Sequence, residues 1–126
     1  MMEKVHILVV EDDPLVSEVI AAALDDSYRT TLVGTASEAL AQLRNGDIEL
    51  MLLDCTLPGG LDADLIPEAD RLGAPVVLMS GDSSRIDKLI DGSRPFVLKP
   101  FTLVSLVDTV ERVLADDPNK RRQMSV

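Results

Sequence analysis

Cysteine occurs once, at Cys55, and tryptophan not at all. A single cysteine excludes an intramolecular disulfide and any metal site built from several thiolates. It suits a reducing compartment. Other aromatics are scarce, with one Tyr and two Phe, too few to flank a bound flavin ring. Basic residues are in the minority: 12 Lys and Arg against 22 Asp and Glu give a formal net charge of −10. Nucleic-acid binding draws on Lys and Arg to neutralise phosphates, so this balance disfavours direct contact with DNA or RNA. No apolar run approaches the roughly 20 residues that cross a bilayer, and no membrane contact is expected. The first apolar run stops at Val10 against Glu11, Asp12 and Asp13, with no small-residue cleavage site. That is too short and too abrupt for a signal peptide, and a cytoplasmic location is the simplest expectation. No Gly-x-x-x-x-Gly-Lys loop is present to cradle nucleotide phosphates.

What remains is a chain of 126 residues, 46% hydrophobic, which suits one domain with a packed core. Two kinds of segment alternate along it. Short, continuous apolar runs cover Val5–Val10, Glu49–Leu53, Pro75–Met79 and Pro95–Leu98. Continuous apolarity predicts strands buried on both faces, as in a parallel sheet. A weaker run, Tyr28–Val33, fits an edge strand. Between the runs lie stripes of helical spacing: Val16, Val19, Ile20, Ala23 and Leu24; Ala36, Ala39, Leu40 and Leu43; and Leu103, Leu106, Val107, Val110, Val113 and Leu114. Start signals agree. Asp13-Pro14 reads as an N-cap followed by Pro at the first helical position, Thr35 with Glu38 as a capping box, and Thr102 as the cap of the last helix. Leu61–Leu72 is a further helix, with Pro67 either kinking it or in its first turn. Ser84–Asp91 supports only a short helix closed by Gly92. The domain is expected over residues 1–115, followed by a polar, frayed tail over 116–126.

Five strand–helix repeats predict an α/β domain with a parallel sheet between two helix layers. The flavodoxin-like strand order 2-1-3-4-5 puts the weakest strand at an edge. Ligands of such sheets bind beyond the carboxyl ends of the strands. There the sequence places Glu11-Asp12-Asp13, Asp54, Ser80 and Lys99-Pro100. Clustered carboxylates resist ionising together unless a cation is present. Mg²⁺ prefers oxygen ligands and commonly takes one or two carboxylates plus a phosphate oxygen. Asp54 can then act as a nucleophile towards phosphorus, with Lys99 supplying positive charge and Ser80 a hydrogen bond. Asp13 is read as a cap rather than a ligand, Cys55 as a buried inert thiol, and His6 as structural.

These pieces resemble the response-regulator receiver domain, the module that takes a phosphoryl group from a histidine kinase. The resemblance rests on Ile7-Leu8-Val9-Val10-Glu11-Asp12-Asp13-Pro14, Leu52-Leu53-Asp54 with Leu57-Pro58-Gly59, Met79-Ser80-Gly81 and Leu98-Lys99-Pro100-Phe101, and covers about residues 5–115. It implies that Asp54 is the phosphoacceptor. It implies that Glu11, Asp12, Asp54 and the backbone carbonyl of Thr56 hold Mg²⁺, with Glu11 acting through water. Ser80 resembles the switch hydroxyl, Lys99 the conserved lysine of the family and Phe96 the aromatic switch, and the Lys99–Pro100 peptide is expected to be cis. The implied partners are a histidine kinase or histidine phosphotransfer protein and a downstream protein target, with no separate substrate turned over. Two departures carry expectations. Gly60 comes early and Leu61-Asp62-Ala63 follows, so the loop after strand 3 differs from the family's. Ser80 to Lys99 is short, so the fourth helix is expected to be short or irregular. The alternative is a protein-binding module of the same fold that is not switched by phosphate.

Overall fold

A computed structural model describes residues 4–57, 62–81 and 94–116. Its strands are β1 (His6–Val10), β2 (Arg29–Val33), β3 (Leu50–Asp54), β4 (Val76–Ser80) and β5 (Phe96–Leu98), all parallel, in the order β2-β1-β3-β4-β5. The helices are α1 (Pro14–Leu24), α2 (Ala36–Arg44), α3 (Leu65–Arg71) and a C-terminal helix (Leu103–Asp116). The expected flavodoxin-like topology is therefore present. The segment assigned to the short fourth helix, Ser84–Asp91, the residues Gly60 and Leu61 and the tail beyond Asp116 lie outside the described residues.

The three central strands are buried at every position, which is why they read as unbroken apolar runs. Their side chains alternate between two cores, as the strand period of two requires. Leu8, Val10, Met51, Leu53, Val76 and Leu78 face α2 and α3. Ile7, Val9, Leu50, Leu52, Val77 and Met79 face α1 and the C-terminal helix. All four residues of the α2 stripe are buried. The expected caps form: the Leu15 amide donates to Asp13 Oδ1 (3.0 Å), that of Glu38 to Thr35 Oγ1 (3.1 Å), and that of Ser105 to Thr102 Oγ1 (3.0 Å). After α3, Gly73 takes a positive φ of 78°, and the Ala74 amide reaches back to the Ala69 carbonyl (2.9 Å), a helix stop that favours a residue without Cβ.

Three expectations need correction. β5 is not buried on both faces. It is a three-residue edge strand in which Val97 enters the core while Phe96 and Leu98 are exposed. In α1, Val19 is 50% exposed and Ser17 is buried instead. The contact face runs Ser17, Ile20, Leu24, narrower than the apolar stripe. α3 begins at Leu65, not Leu61. The Asp64 amide donates to Asp62 Oδ1 (2.8 Å) and the Leu65 amide to the Asp62 carbonyl (3.0 Å). That turn delays the helix and leaves Pro67 in its first turn, where its missing N–H is not needed.

Candidate phosphoryl-accepting site

The carboxyl ends of β1, β3, β4 and β5 lie side by side because the sheet is parallel. Asp54 pairs in register with Met79, and Ser80 with Leu98. The Lys99 amide donates to the Ser80 carbonyl (2.8 Å). The Lys99–Pro100 peptide is cis. Glu11 leaves β1 with its amide on the Val33 carbonyl (3.0 Å), and the buried Ser17 hydroxyl donates to the Glu11 carbonyl (3.4 Å). The acidic turn is thus held from β2 on one side and α1 on the other.

Glu11 and Asp54 are 3% and 1% exposed, and Asp12 is exposed. Carboxylate oxygens of the three lie within 4.8 Å of one another. Two buried carboxylates with a third at the open side form an all-oxygen cradle, and this donor set fits a hard divalent cation. Lys99 Nζ donates to Glu11 Oε1 (2.5 Å) and stands 3.5 Å from Asp54 Oδ2.

The two acids respond differently to this environment. Burial raises the Glu11 pKa, and the hydrogen bonds from Lys99 and from the Asp13 amide only partly offset it. Burial also works to raise that of Asp54. There the Thr56 amide and hydroxyl, with the Lys99 charge, outweigh burial and hold the carboxyl below its ordinary value. Burial alone would lower the Lys99 pKa, but its hydrogen bond to Glu11 and the Asp54 charge leave it raised. Asp54 is therefore favoured as an ionised carboxylate held beside a cation.

The cluster brings together Glu11, Asp12, Asp54, Thr56 and Lys99. Ser80 is fully buried at the end of the adjacent strand. Phe96 does not join them, being 47% exposed on β5. Sequence reasoning gave Thr56 only a backbone carbonyl and missed its side chain. Its hydroxyl (2.7 Å) and amide (2.9 Å) both donate to Asp54 Oδ1. A Thr two residues after a strand-end Asp was the available signal, since such a pair closes a local side-chain turn. An apolar groove of about 580 Å³ beside the cluster was also missed. It is lined by Leu15, Val16, Val19, Ile20, Phe101 and Leu103, and it shares Lys99 with the acidic site.

The family model for the response regulator receiver domain matches residues 7–111. The chain belongs to the response-regulator receiver family of two-component signal transduction. Among curated relatives, this receiver domain is 32% identical over 125 residues to the DNA-binding response regulator MtrA of Mycolicibacterium smegmatis, covering 94% of the chain and 54% of that protein. It is 29% identical to the sensory transduction protein RegX3 of the same organism, over 86% of the chain and 50% of the relative. The receiver thus spans about half the length of these relatives. Solved structures agree on the fold. A response regulator receiver protein from Sinorhizobium medicae superposes with a TM-score of 0.82 at 21% identity, covering 91% of this chain and 98% of that one. The chemotaxis response regulator CheY4 of Vibrio cholerae gives 0.74 at 19%, covering 88% and 99%.

Proposed function

We propose that this receiver accepts a phosphoryl group on Asp54 from a phosphohistidine of a histidine kinase or phosphotransfer protein, and signals the change to a protein partner. The observation that carries the reading is the asymmetric environment of Asp54. Its Oδ1 is tied to Thr56 while its Oδ2 looks towards Lys99. In the proposed step Oδ2 bonds to phosphorus as the bond from phosphorus to the donor nitrogen breaks, and the nitrogen keeps that electron pair. Lys99 shifts from Glu11 towards the incoming phosphoryl oxygens, and Ser80 donates its hydroxyl to one of them. Glu11, Asp12, Asp54 and the Thr56 carbonyl would hold Mg²⁺. When bound, Mg²⁺ neutralises the clustered carboxylates and takes up charge on the phosphoryl oxygens. The remaining work is positioning by these side chains, so the domain assists its own phosphorylation and dephosphorylation and turns over no other substrate.

The apolar groove between α1 and the Pro100–Leu103 segment is the docking face for the phosphodonor in this reading, because Lys99 lines both groove and site. Once Asp54 is phosphorylated, Ser80 moves towards it and the exposed Phe96 turns inward, altering the β5 surface that the partner reads. The functional unit is residues 1–115. The net charge of −10 favours a protein target over direct nucleic-acid contact by these residues. No described helix is long and apolar enough to cross a membrane. The test is intact mass after treatment with a small acyl phosphate, with and without Mg²⁺, alongside Asp54→Asn. The reading expects a Mg²⁺-dependent gain of one phosphoryl group in the parent only. A folded, Mg²⁺-binding protein that gains none, also with a histidine-phosphorylated donor, favours the phosphate-independent binding module instead.

A further inference from the structure

We infer that Ser17 is a positioning residue for the divalent cation: its hydroxyl fixes the acidic turn that carries Glu11 and Asp12. The inference rests on the reading of these acids as the cation site. α1 turns Ser17, Ile20 and Leu24 towards the sheet, and Ser17 is 5% exposed. A hydroxyl buried there must find an acceptor or cost stability. A serine inside a helix ordinarily bonds back to the carbonyl four residues earlier, which for Ser17 is that of Asp13. That carbonyl already takes the Ser17 amide (3.0 Å). The hydroxyl instead reaches six residues back, beyond the helix cap, to the Glu11 carbonyl (3.4 Å).

This carbonyl belongs to the peptide that joins Glu11 to Asp12, so its direction sets where the Asp12 side chain leaves the backbone. The Glu11 amide donates to the Val33 carbonyl (3.0 Å), the Asp13 amide to Glu11 Oε2 (3.2 Å) and Lys99 Nζ to Glu11 Oε1 (2.5 Å). These three hold Glu11 by its amide and its carboxylate. The Ser17 bond acts on the next peptide, the one that aims Asp12. Asp12 is exposed, so its aim depends on the backbone more than on packing. A cation must gather carboxylates that repel one another, and a turn already fixed in place spares it that work. Removing a group that orients metal ligands weakens binding by about 10–100-fold. At 3.4 Å the bond is long for a hydroxyl, which puts the expected effect at the low end, about tenfold.

The test is Mg²⁺ affinity by calorimetry on the full chain, for the parent, Ser17→Ala, Ser17→Cys, Ser17→Thr and Asp12→Asn. Phosphoryl uptake from a small acyl phosphate is followed against Mg²⁺ concentration in the same proteins, and urea unfolding checks that each is folded. Ala removes the donor, Cys fills the same space with a weak donor, and Thr keeps the hydroxyl. Ser17→Ala and Ser17→Cys should bind Mg²⁺ about tenfold more weakly. Their uptake should need correspondingly more Mg²⁺ and reach the parent's rate at saturation. Ser17→Thr should match the parent. A general packing defect would slow uptake at saturating Mg²⁺ as well, and that result overturns the inference. So does an affinity in Ser17→Ala or Ser17→Cys within about twofold of the parent, and so does a folded Ser17→Thr as weak as these two. A parent that binds no Mg²⁺, or an Asp12→Asn protein that binds it as tightly as the parent, sinks the cation-site reading itself. A parent that binds Mg²⁺ through Asp12, with Ser17→Ala and Ser17→Cys unchanged, sinks only the role of Ser17.

Discussion

Replacing Lys99 by Met keeps most of the side chain's apolar stem and deletes its charge. Nζ lies 2.5 Å from Glu11 Oε1 and 3.5 Å from Asp54 Oδ2, and both carboxylates are almost fully buried. Among the described residues no other cation makes an ion pair with either. At an effective dielectric of about 20, unit charges at these distances attract by about 5–7 kcal/mol. Desolvation of all three groups offsets much of that. Removing one partner of a buried pair costs about 3–5 kcal/mol, because a buried charge is left uncompensated. The Lys99 side chain keeps 27% of its exposure, so water screens part of the loss, and a cost of about 2–3 kcal/mol is expected. For a domain of this size that lowers Tm by about 10 °C. The assay is urea unfolding at pH 7 in the presence of a chelator. The second arm adds Glu11→Gln to Lys99→Met. Deleting the stranded charge should recover at least about 1 kcal/mol, a coupling that independent sites would not show. A Lys99→Met protein within about 0.5 kcal/mol of the parent, or a double variant no more stable than the single, would refute the reasoning.

Two further predictions concern groups away from the site. His6 is buried, and Arg29 Nη2 lies 3.1 Å from its Nδ1. The guanidinium can only donate, so Nδ1 is the acceptor and Nε2–H donates to Thr31 Oγ1 (2.6 Å). Burial first, then the Arg29 charge, lower the His6 pKa below 6.5, against smaller opposing effects of Asp47 and Glu49. The unfolded chain therefore binds the proton first. Stability should fall as pH drops below about 6.5 towards the lowered folded value, and urea unfolding of His6→Gln should lose that slope. A parent whose stability is flat through this window would contradict the tautomer assignment. Glu68 on α3 accepts from Arg71 (2.6 Å) and Arg44 (3.0 Å), which pull its pKa down to about 2. Its stabilising contribution is present above its ordinary value of 4.5 and is lost as pH falls from there to about 2. A carboxyl NMR titration should show that midpoint, and Arg71→Gln should raise it. An ordinary midpoint in the parent would mean that the Arg44–Glu68 link between α2 and α3 does not persist in solution.

The sheet was legible because its physics is one-dimensional. Strands buried on both faces must be apolar throughout, and Leu50–Leu53 and Val76–Met79 are. Strand ends of a parallel sheet share one edge, so Glu11, Asp54, Ser80 and Lys99 converge without any side-chain detail. What was not legible depends on neighbours. Val19 belongs to the apolar stripe of α1, yet it faces the groove with Leu15, because the C-terminal helix covers only one side of that stripe. Phe96 and Leu98 read as core until β5 proves to be an edge strand. The spacing of Asp54 and Thr56 signals a local turn, but the hydroxyl's bond to Asp54 needs in addition one side-chain rotation, which spacing does not fix. The start of α3 turned on Asp62 offering both its side chain and its carbonyl to the following amides.

The most direct measurement is the position of the phosphoryl group on the chain. Protein treated with a small acyl phosphate and Mg²⁺ would be reduced with borohydride, which converts an aspartyl phosphate into homoserine, and then mapped by peptide mass spectrometry. The account predicts homoserine at residue 54, dependent on both the phosphodonor and Mg²⁺. Reduction at Glu11, Asp12 or another carboxylate in place of Asp54, or at none while the protein is folded and binds Mg²⁺, would contradict it.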